Sequence, residues 1–300
     1  MPGAPWRRTG HGRGLAASVM SERLAEMESR MQAVRELGLV VNAMRGMAAS
    51  RLEQARGRLS SMRMFADVVE SALDTGLALE ELGAPAEQSL GRRALVLFCA
   101  EQGFAGAFTE RVLDAASDLR GGDCVVLVGT RGRGLAAERG HALAWSTAMP
   151  ARVQGIARLA DQIVERLAPE MARGALNRLE VVFSACEQGL PLQVCRDALL
   201  PLTPRRRAAG PPLVLTQLAP RALLLDFIAE HLHAQICYAA LRSFEAEAQA
   251  RMEAMAAARR HIDRELANLQ VTWQQARQED ITAEIIELAA GKQACLPGRP

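Results

Sequence analysis

RALLLDFIAEHLHAQICYAALRSFEAEAQARMEAMAAARRHIDRELANLQVTWQQARQEDITAEIIELAA, from Arg221 to Ala290, is seventy residues without a glycine or a proline. Pro220 stands just before it and Gly291 just after, the residues expected at a helix start and beyond a helix end. One helix of that length would reach roughly 100 Å at ~1.5 Å per residue. A helix so far above the usual dozen residues needs a partner along its length. Leu241, Phe244, Ala248, Met252 and Met255, then Ile262, Leu266, Leu269, Trp273 and Ala276, step by threes and fours, skipping Arg259. That 3.5-residue period marks a seam for left-handed helix pairing. Glu245, Glu247, Arg251, Glu253, Arg259, Arg260, Asp263, Arg264 and Glu265 are assigned to the other, solvated faces. A helical-bundle core would give the same spacing; the unbroken length favours a coiled coil.

A second such stretch opens the chain. From Ser21, read as an N-cap with Glu22 in the first turn, an apolar seam passes through Leu24, Met27, Met31, Val34, Leu37, Val41, Met44, Ala48, Leu52, Ala55, Leu59, Met62, Phe65 and Val69. Gly38, Gly46 and Gly57 lie inside it, either as points of close approach or as tolerated weak points. The first nineteen residues are Arg- and Gly-rich and free of acids, resembling a transit peptide or preceding a start at Met20. Residues 1–20 are left out of the fold as a disordered or mis-assigned extension.

Between the two stretches the chain changes character. Ala94–Cys99 (ALVLFC), Cys124–Val128 (CVVLV) and Leu179–Ser184 (LEVVFS) are short apolar runs. They alternate with helical stretches at Ala105–Leu119, after Gly134 to about Arg139, and at Val153–Met171. Such alternation predicts a small parallel-sheet α/β domain. The expected architecture is α/β plus coiled coil. Helices at 21–74 and 221–294 pair as an antiparallel left-handed coiled coil, and an α/β domain at 92–204 is inserted between them. Gly210 to Pro220 is a Pro-rich connection into the last helix.

Composition narrows the function classes. The chain is 49% hydrophobic, 23% charged and 4% aromatic, with a net charge of +2. It is globular, and its charge carries no argument for nucleic acid. Six cysteines form no C-x-x-C pair, so a reduced intracellular protein is expected. No apolar run reaches the ~20 residues of a membrane span. Gly129-Thr130-Arg131-Gly132-Arg133-Gly134 sits where a phosphate loop would but matches neither phosphate-loop spacing, so a tight strand-to-helix turn is the better reading. Gly103-Phe104-Ala105-Gly106 has the same reading. His231 and His233, two apart, fall on different helix faces and do not make a metal pair. Cys186 and Cys195 are no better as ligands. No Ser/His/Asp set stands out, and no cofactor or metal is expected. Arg51, Arg56, Arg58 and Arg63 are balanced by nearby glutamates, the pattern of a solvated helix exterior.

Three segments carry a family resemblance. Ala43-Met44-Arg45-Gly46-Met47-Ala48-Ala49-Ser50-Arg51-Leu52 is similar to A-M-K-M-V-A-A-S-K-[LM]. Ala276-Arg277-Gln278-Glu279-Asp280-Ile281-Thr282-Ala283-Glu284-Ile285-Ile286-Glu287 is similar to A-R-Q-x-x-I-T-x-E-[IL]-x-E. Glu247 to Met255 resembles S-E-x-x-x-R-M-x-A-M with Ala246 in place of serine. Together they resemble the γ subunit of F-type ATP synthases over about Ser21 to Ala294. The resemblance implies a rotor shaft without bond chemistry, which passes torque between an ion-driven membrane ring and a hexamer of α and β subunits. It implies hexamer contacts at Met44, Arg45, Arg277, Gln278, Thr282 and Glu284. It implies a foot touching the ε subunit and the c-ring, with a foot loop at Glu101, Gln102, Gly103 and Gly106. The implied place is peripheral, at the cytoplasmic face of a bacterial inner membrane. Glu101, Gln102 and Ala105 replace the family's Asp, Arg and Cys, and Leu213 to Pro220 lacks its aromatic and acidic foot segment, so the member is divergent. Two other readings are open: a homodimeric coiled-coil scaffold, and a small nucleotide-binding enzyme built on the central domain.

Overall fold

The computed structural model describes residues 11–79, 92–187, 191–202 and 219–294. In chain order the elements are α1 (His11–Leu79), β1 (Arg92–Phe98), α2 (Phe108–Asp114), β2 (Cys124–Val128), α3 (Gly132–Glu138), β3 (Leu143–Thr147), a 3₁₀ turn (Val153–Gly155), α4 (Ile156–Ala172), β4 (Leu176–Ala185), β5 (Gln193–Leu200) and α5 (Pro220–Ala294). The terminal helices are 69 and 75 residues long. The chain divides into two compact units, one drawn from residues up to Met44 and from Met255 onward, the other Arg45–Ala254.

In the first unit the two helices run antiparallel. Arg30 bridges to Glu265 at 2.9 Å. Further along one helix and further back along the other, the Arg259 Nη1 donates to the carbonyl of Gly38 at 3.5 Å. Met31, Val41, Met255, Ile262 and Ala276 are buried. One seam position differs from expectation. Leu37 is 53% exposed and Gly38 takes the inward place. A methyl built on Gly38 would stand 3.3 Å from the Arg259 guanidinium and 3.4 Å from the Ile262 side chain. Glycine therefore makes room for a long cation that the facing seam carries in place of an apolar residue. Gly46 and Gly57 meet nothing within 4 Å. Glycine there costs helix entropy without relieving any contact. Gly46→Ala and Gly57→Ala are each expected to stabilise the isolated chain by about 0.5–1 kcal/mol. A urea midpoint that falls in either variant would contradict that geometry.

In the second unit α1 and α5 again run antiparallel: the Arg56 Nε pairs with Glu245 at 3.2 Å, and Gly76 faces Leu224 and Phe227. Ala66, not Phe65, points inward. The sheet has the order β3-β2-β1-β4-β5. Its first four strands are parallel and β5 is an antiparallel edge strand paired to β4, so the sheet is mixed where an all-parallel one is expected. The central strands are buried on both faces, which is why they read as unbroken apolar runs. Ala94, Val96 and Phe98 pack with α4, α1 and α5, through Ile163, Ala55 and Phe244 among others. Leu95 and Leu97 pack with Phe108, Val112 and Leu113 of α2 and Ala136 of α3.

Some boundaries move. α1 already runs from His11, so Ser21 lies inside the helix and not at its cap. α2 starts only at Phe108, because Phe104 and Gly106 have φ of 62° and 61°, a backbone no right-handed helix accepts. Residues 203–218, most of the Pro-rich connection and of the foot segment beginning at Leu213, lie outside the described residues, as do 1–10 and Cys295.

One charged network ties the edge strand down. Arg93 on β1 contacts Asp118 and Asp123 at 2.8 and 2.6 Å, and Arg196 on β5 contacts Asp118 and Glu180 at 2.9 and 2.6 Å. Hydrogen bonds from Arg196 and then Arg93 hold Asp118 well below the usual carboxylate range. Burial pushes Asp123 up, but the Arg93 side chain and the Arg120 amide outweigh it and leave it lowered. Carboxylates depressed in the folded state stabilise it above the ordinary aspartate pKa of about 4 and lose that contribution as pH falls. Stability is therefore expected to be flat near neutrality and to drop below about pH 4. The Asp118 side chain is 52% exposed, so solvent screening keeps its share modest. Asp118→Asn should shrink the acid-side drop in a pH series of urea midpoints; an unchanged drop would contradict the assignment.

Candidate functional site

The loop after β1 and the middle of α5 form a buried polar site in the second unit. From Leu232 to Arg251, α5 carries buried residues on nearly every face: Leu232, Ile236, Leu241, Phe244, Ala246 and Ala248. Glu245, Glu247 and Arg251 are buried too, at 4%, 2% and 3% exposure. This corrects their assignment to a solvated face. The seam reading counted one partner helix, and here the sheet domain closes over the second side.

Buried charges need partners, and each of the three has at least one, although Glu245 Oε2 and Arg251 Nη1 are buried without a hydrogen bond. Glu247 accepts the backbone N–H of Glu101 at 3.3 Å and of Gln102 at 3.1 Å. Arg251 donates from Nε to the Gly103 carbonyl at 3.1 Å, and from Nη2 to the Gln102 carbonyl at 3.2 Å and to Glu247 itself. The Arg51 guanidinium of α1 stacks over the Phe244 ring at 4.4 Å. Burial lowers the pKa of Arg51, partly opposed by the charge of Glu247.

The residues expected to form a foot loop are thus brought together, though not as a catalytic set. The Glu101 carboxylate accepts from the Thr130 amide (3.0 Å), the Thr130 hydroxyl (2.9 Å) and the Met149 amide (2.9 Å), joining the loops after β1, β2 and β3. Gln102 and Gly103 offer their backbone to α5, and Phe104 and Gly106 both take positive φ. Phe104 stands at the loop tip, 66% exposed.

An open α/β sheet binds ligands at the carboxyl end where its strand order reverses. Here that point lies between β1 and β4, and α5 fills it. The Ser243 hydroxyl donates to the carbonyl of Phe98, the last residue of β1, at 3.4 Å, and Glu247 takes the next free amides. The turn after β2 is equally committed. The amides of Gly129, Thr130, Arg131 and Gly132 donate to Thr147, Glu101, Ala100 and Gly129 respectively. A Cβ on Gly129, where φ is +101°, would stand 2.2 Å from the Cys99 carbonyl oxygen. Gly129 and Gly132, whose added Cβ would meet Cys99, serve packing, as expected for a tight turn, while Gly134 meets nothing within 4 Å. Among the described residues no His/Cys/Asp/Glu group could hold a metal. His231 is buried, and His233 lies 3.2 Å from Asp161. The five described cysteines are free thiols, and burial pushes Cys99 and Cys237 up to about 12, which leaves them unreactive near neutrality.

The residues expected from the motifs to contact a hexamer have the opposite character. In the first unit Arg277, Gln278, Thr282 and Glu284 are exposed and Met44 is half-buried. Arg277 lies over the Trp273 ring at 5.1 Å, and the Thr282 hydroxyl bonds back to the Gln278 carbonyl at 2.7 Å. Ile281, Ile285, Ile286 and Leu288 are exposed among them. Arg45, in the second unit, is exposed. No described helix is long and apolar enough to cross a membrane.

Comparison with known proteins agrees with this architecture. The family model described as ATP synthase matches residues 23–295. The ATP synthase gamma chain of Chlorobaculum tepidum is 26% identical over 289 residues, covering 90% of this chain and 98% of the relative. That of Chlorobaculum parvum is 25% identical over 290 residues, with the same coverage. Among solved structures, the rotor of the Euglena gracilis mitochondrial ATP synthase in rotational state 1 covers 89% of this chain and 99% of its own, with a TM-score of 0.57 at 14% identity. The central stalk and c-ring structure of the Tetrahymena thermophila enzyme gives 0.56 at 18% identity, over 73% of this chain and 99% of its own. With the motifs at 43–52 and 276–287 inside the matched region, the chain belongs to the ATP synthase family, among its gamma chains.

Proposed function

We propose that the chain, a central-stalk rotor subunit by family, passes torque between an ion-driven c-ring and a catalytic hexamer of α and β subunits, and performs no bond chemistry of its own. The supporting observation is the cluster of exposed large apolar side chains, Ile281, Ile285, Ile286 and Leu288, set among the exposed Arg277, Gln278, Thr282 and Glu284. An apolar cluster of that kind on a folded chain marks a partner surface. Arg277, Gln278, Thr282 and Glu284 would contact the hexamer there, with Met44 and Arg45 contacting it from α1. The stretches 21–74 and 221–294 would form the shaft. Segment 92–204 would be the foot against the ε subunit and the ring, and the complex would hold the chain peripherally at the cytoplasmic face of a bacterial inner membrane. The filled crevice beside β1 supports this reading over a nucleotide-binding enzyme, because the groups that would cradle a phosphate are already bonded.

A complex reconstituted with Arg277→Ala/Gln278→Ala is expected to assemble but to lose about tenfold in ATP hydrolysis, equivalent to ~1.4 kcal/mol. Hydrolysis at the unmodified rate would contradict the assigned contact.

A further inference from the structure

Two kinds of contact join α5 to the sheet domain inside the second unit. The first is apolar: Leu232, Ile236, Leu241 and Phe244 lie in the same core as Val96, Phe98, Val181 and Phe183. Burial of this kind is strong but non-directional, and an apolar surface can re-pack when a helix turns about its axis. The second kind is directional. The carboxylate of Glu247 meets only backbone N–H groups of the loop and the guanidinium of Arg251 meets only its carbonyls, with both side chains almost fully buried. Donors and acceptors are thus sorted along the loop, so the four loop bonds of Glu247 and of the Arg251 Nε and Nη2 fix one rotational setting and one height of α5. The loop is itself anchored, since Glu101 binds Thr130 and Met149 in the loops after β2 and β3.

We propose that the Glu247–Arg251 pair is a torsional key, two positioning residues that prevent α5 from turning against the sheet domain while the complex works under load. The proposal rests on the rotor reading above. A small rotation of α5 would keep the Glu247–Arg251 pair within the helix but strip both buried side chains of their loop partners and leave four loop backbone groups unbonded, which is far costlier than shifting an apolar contact. The key resists twist at a point where the apolar core alone would creep.

The test uses the complete complex in membrane vesicles, with ATP hydrolysis, ATP-driven ion uptake and the melting temperature of the complex measured together. Three variants are compared. Glu247→Arg/Arg251→Glu restores the ion pair within α5 but turns donors towards N–H groups and acceptors towards carbonyls. Arg251→Lys keeps the charge and loses the fork. Ile236→Val weakens the apolar contact of the same helix. The expected result is that the swap and Arg251→Lys lower ion uptake per ATP hydrolysed several-fold, while Ile236→Val leaves that ratio unchanged despite a comparable fall in melting temperature. If the swap does not assemble, Arg251→Lys alone decides. An unchanged ratio in Arg251→Lys, or an equal fall in Ile236→Val, overturns the key. An unmodified chain that fails to join α and β subunits overturns the rotor reading instead, a failure visible before any variant is made.

Discussion

Gly129→Ala should destabilise the sheet domain by roughly 3–5 kcal/mol, combining the cost of an L residue in a left-handed backbone with that of overpacking. The residue sits at φ +101°, and its new Cβ would approach the Cys99 oxygen to 2.2 Å and the Ala100 oxygen to 2.9 Å. Neither is the end of a flexible side chain, so the turn after β2 or the end of β1 must move. Moving either disturbs the amides that Glu101 and Ala100 satisfy at Thr130 and Arg131. Gly134→Ala is the control five residues on, where nothing lies within 4 Å of the added methyl. It should be neutral or stabilising by up to about 1 kcal/mol. Urea unfolding of the purified variants followed by circular dichroism separates the two, and equal midpoints would contradict the packing described for this turn.

Phe244→Ala should cost about 3–5 kcal/mol, the range for deleting a fully buried aromatic side chain. Phe244 is 2% exposed and packs into the core formed by the sheet, α4 and the long helices. Its ring also carries the Arg51 guanidinium. Removing the ring leaves a half-buried cation, already strained by desolvation, without its aromatic face. A double-mutant cycle with Arg51→Met isolates that share, expected at about 0.5–2 kcal/mol. Additive effects of the two substitutions would mean that the stacking contributes nothing.

The physical reasons for what the sequence could and could not reveal lie in particular residues. The long helices were legible because Pro220 and the spacing from Leu241 to Ala276 are local signals that no tertiary contact needs to complete, whereas Gly291, expected just past the helix end, lies inside α5, which runs to Ala294. The central strands were legible as well, since Val125–Leu127 and Leu95–Leu97 are apolar on both faces. β3 and β5 were not. They are edge strands with polar or mixed residues, and β5 (QVCRDALL) depends on Arg196 reaching Asp118 and Glu180 from elsewhere in the chain. The seam errors at Leu37 and Phe65 arise where a helix offers a bulky and a small residue side by side. At Gly38 the facing cation chooses the small one, which spacing alone cannot reveal.

Glu247 and Arg251 were hidden for a related reason. An acid followed four residues later by a base is the ordinary look of an exposed helix. Only the alanines at 246, 248 and 250 hinted that another backbone comes close. The residues proposed to contact the hexamer were singled out solely through motif resemblance. On the chain by itself they are exposed side chains with little to distinguish them, apart from the isoleucines beside them.

The most direct test of the central claim is native mass spectrometry of the tagged chain purified from its own host. The account predicts one copy of this chain bound to three α and three β chains. A monomer or a homodimer free of those chains would contradict it and would favour a coiled-coil scaffold.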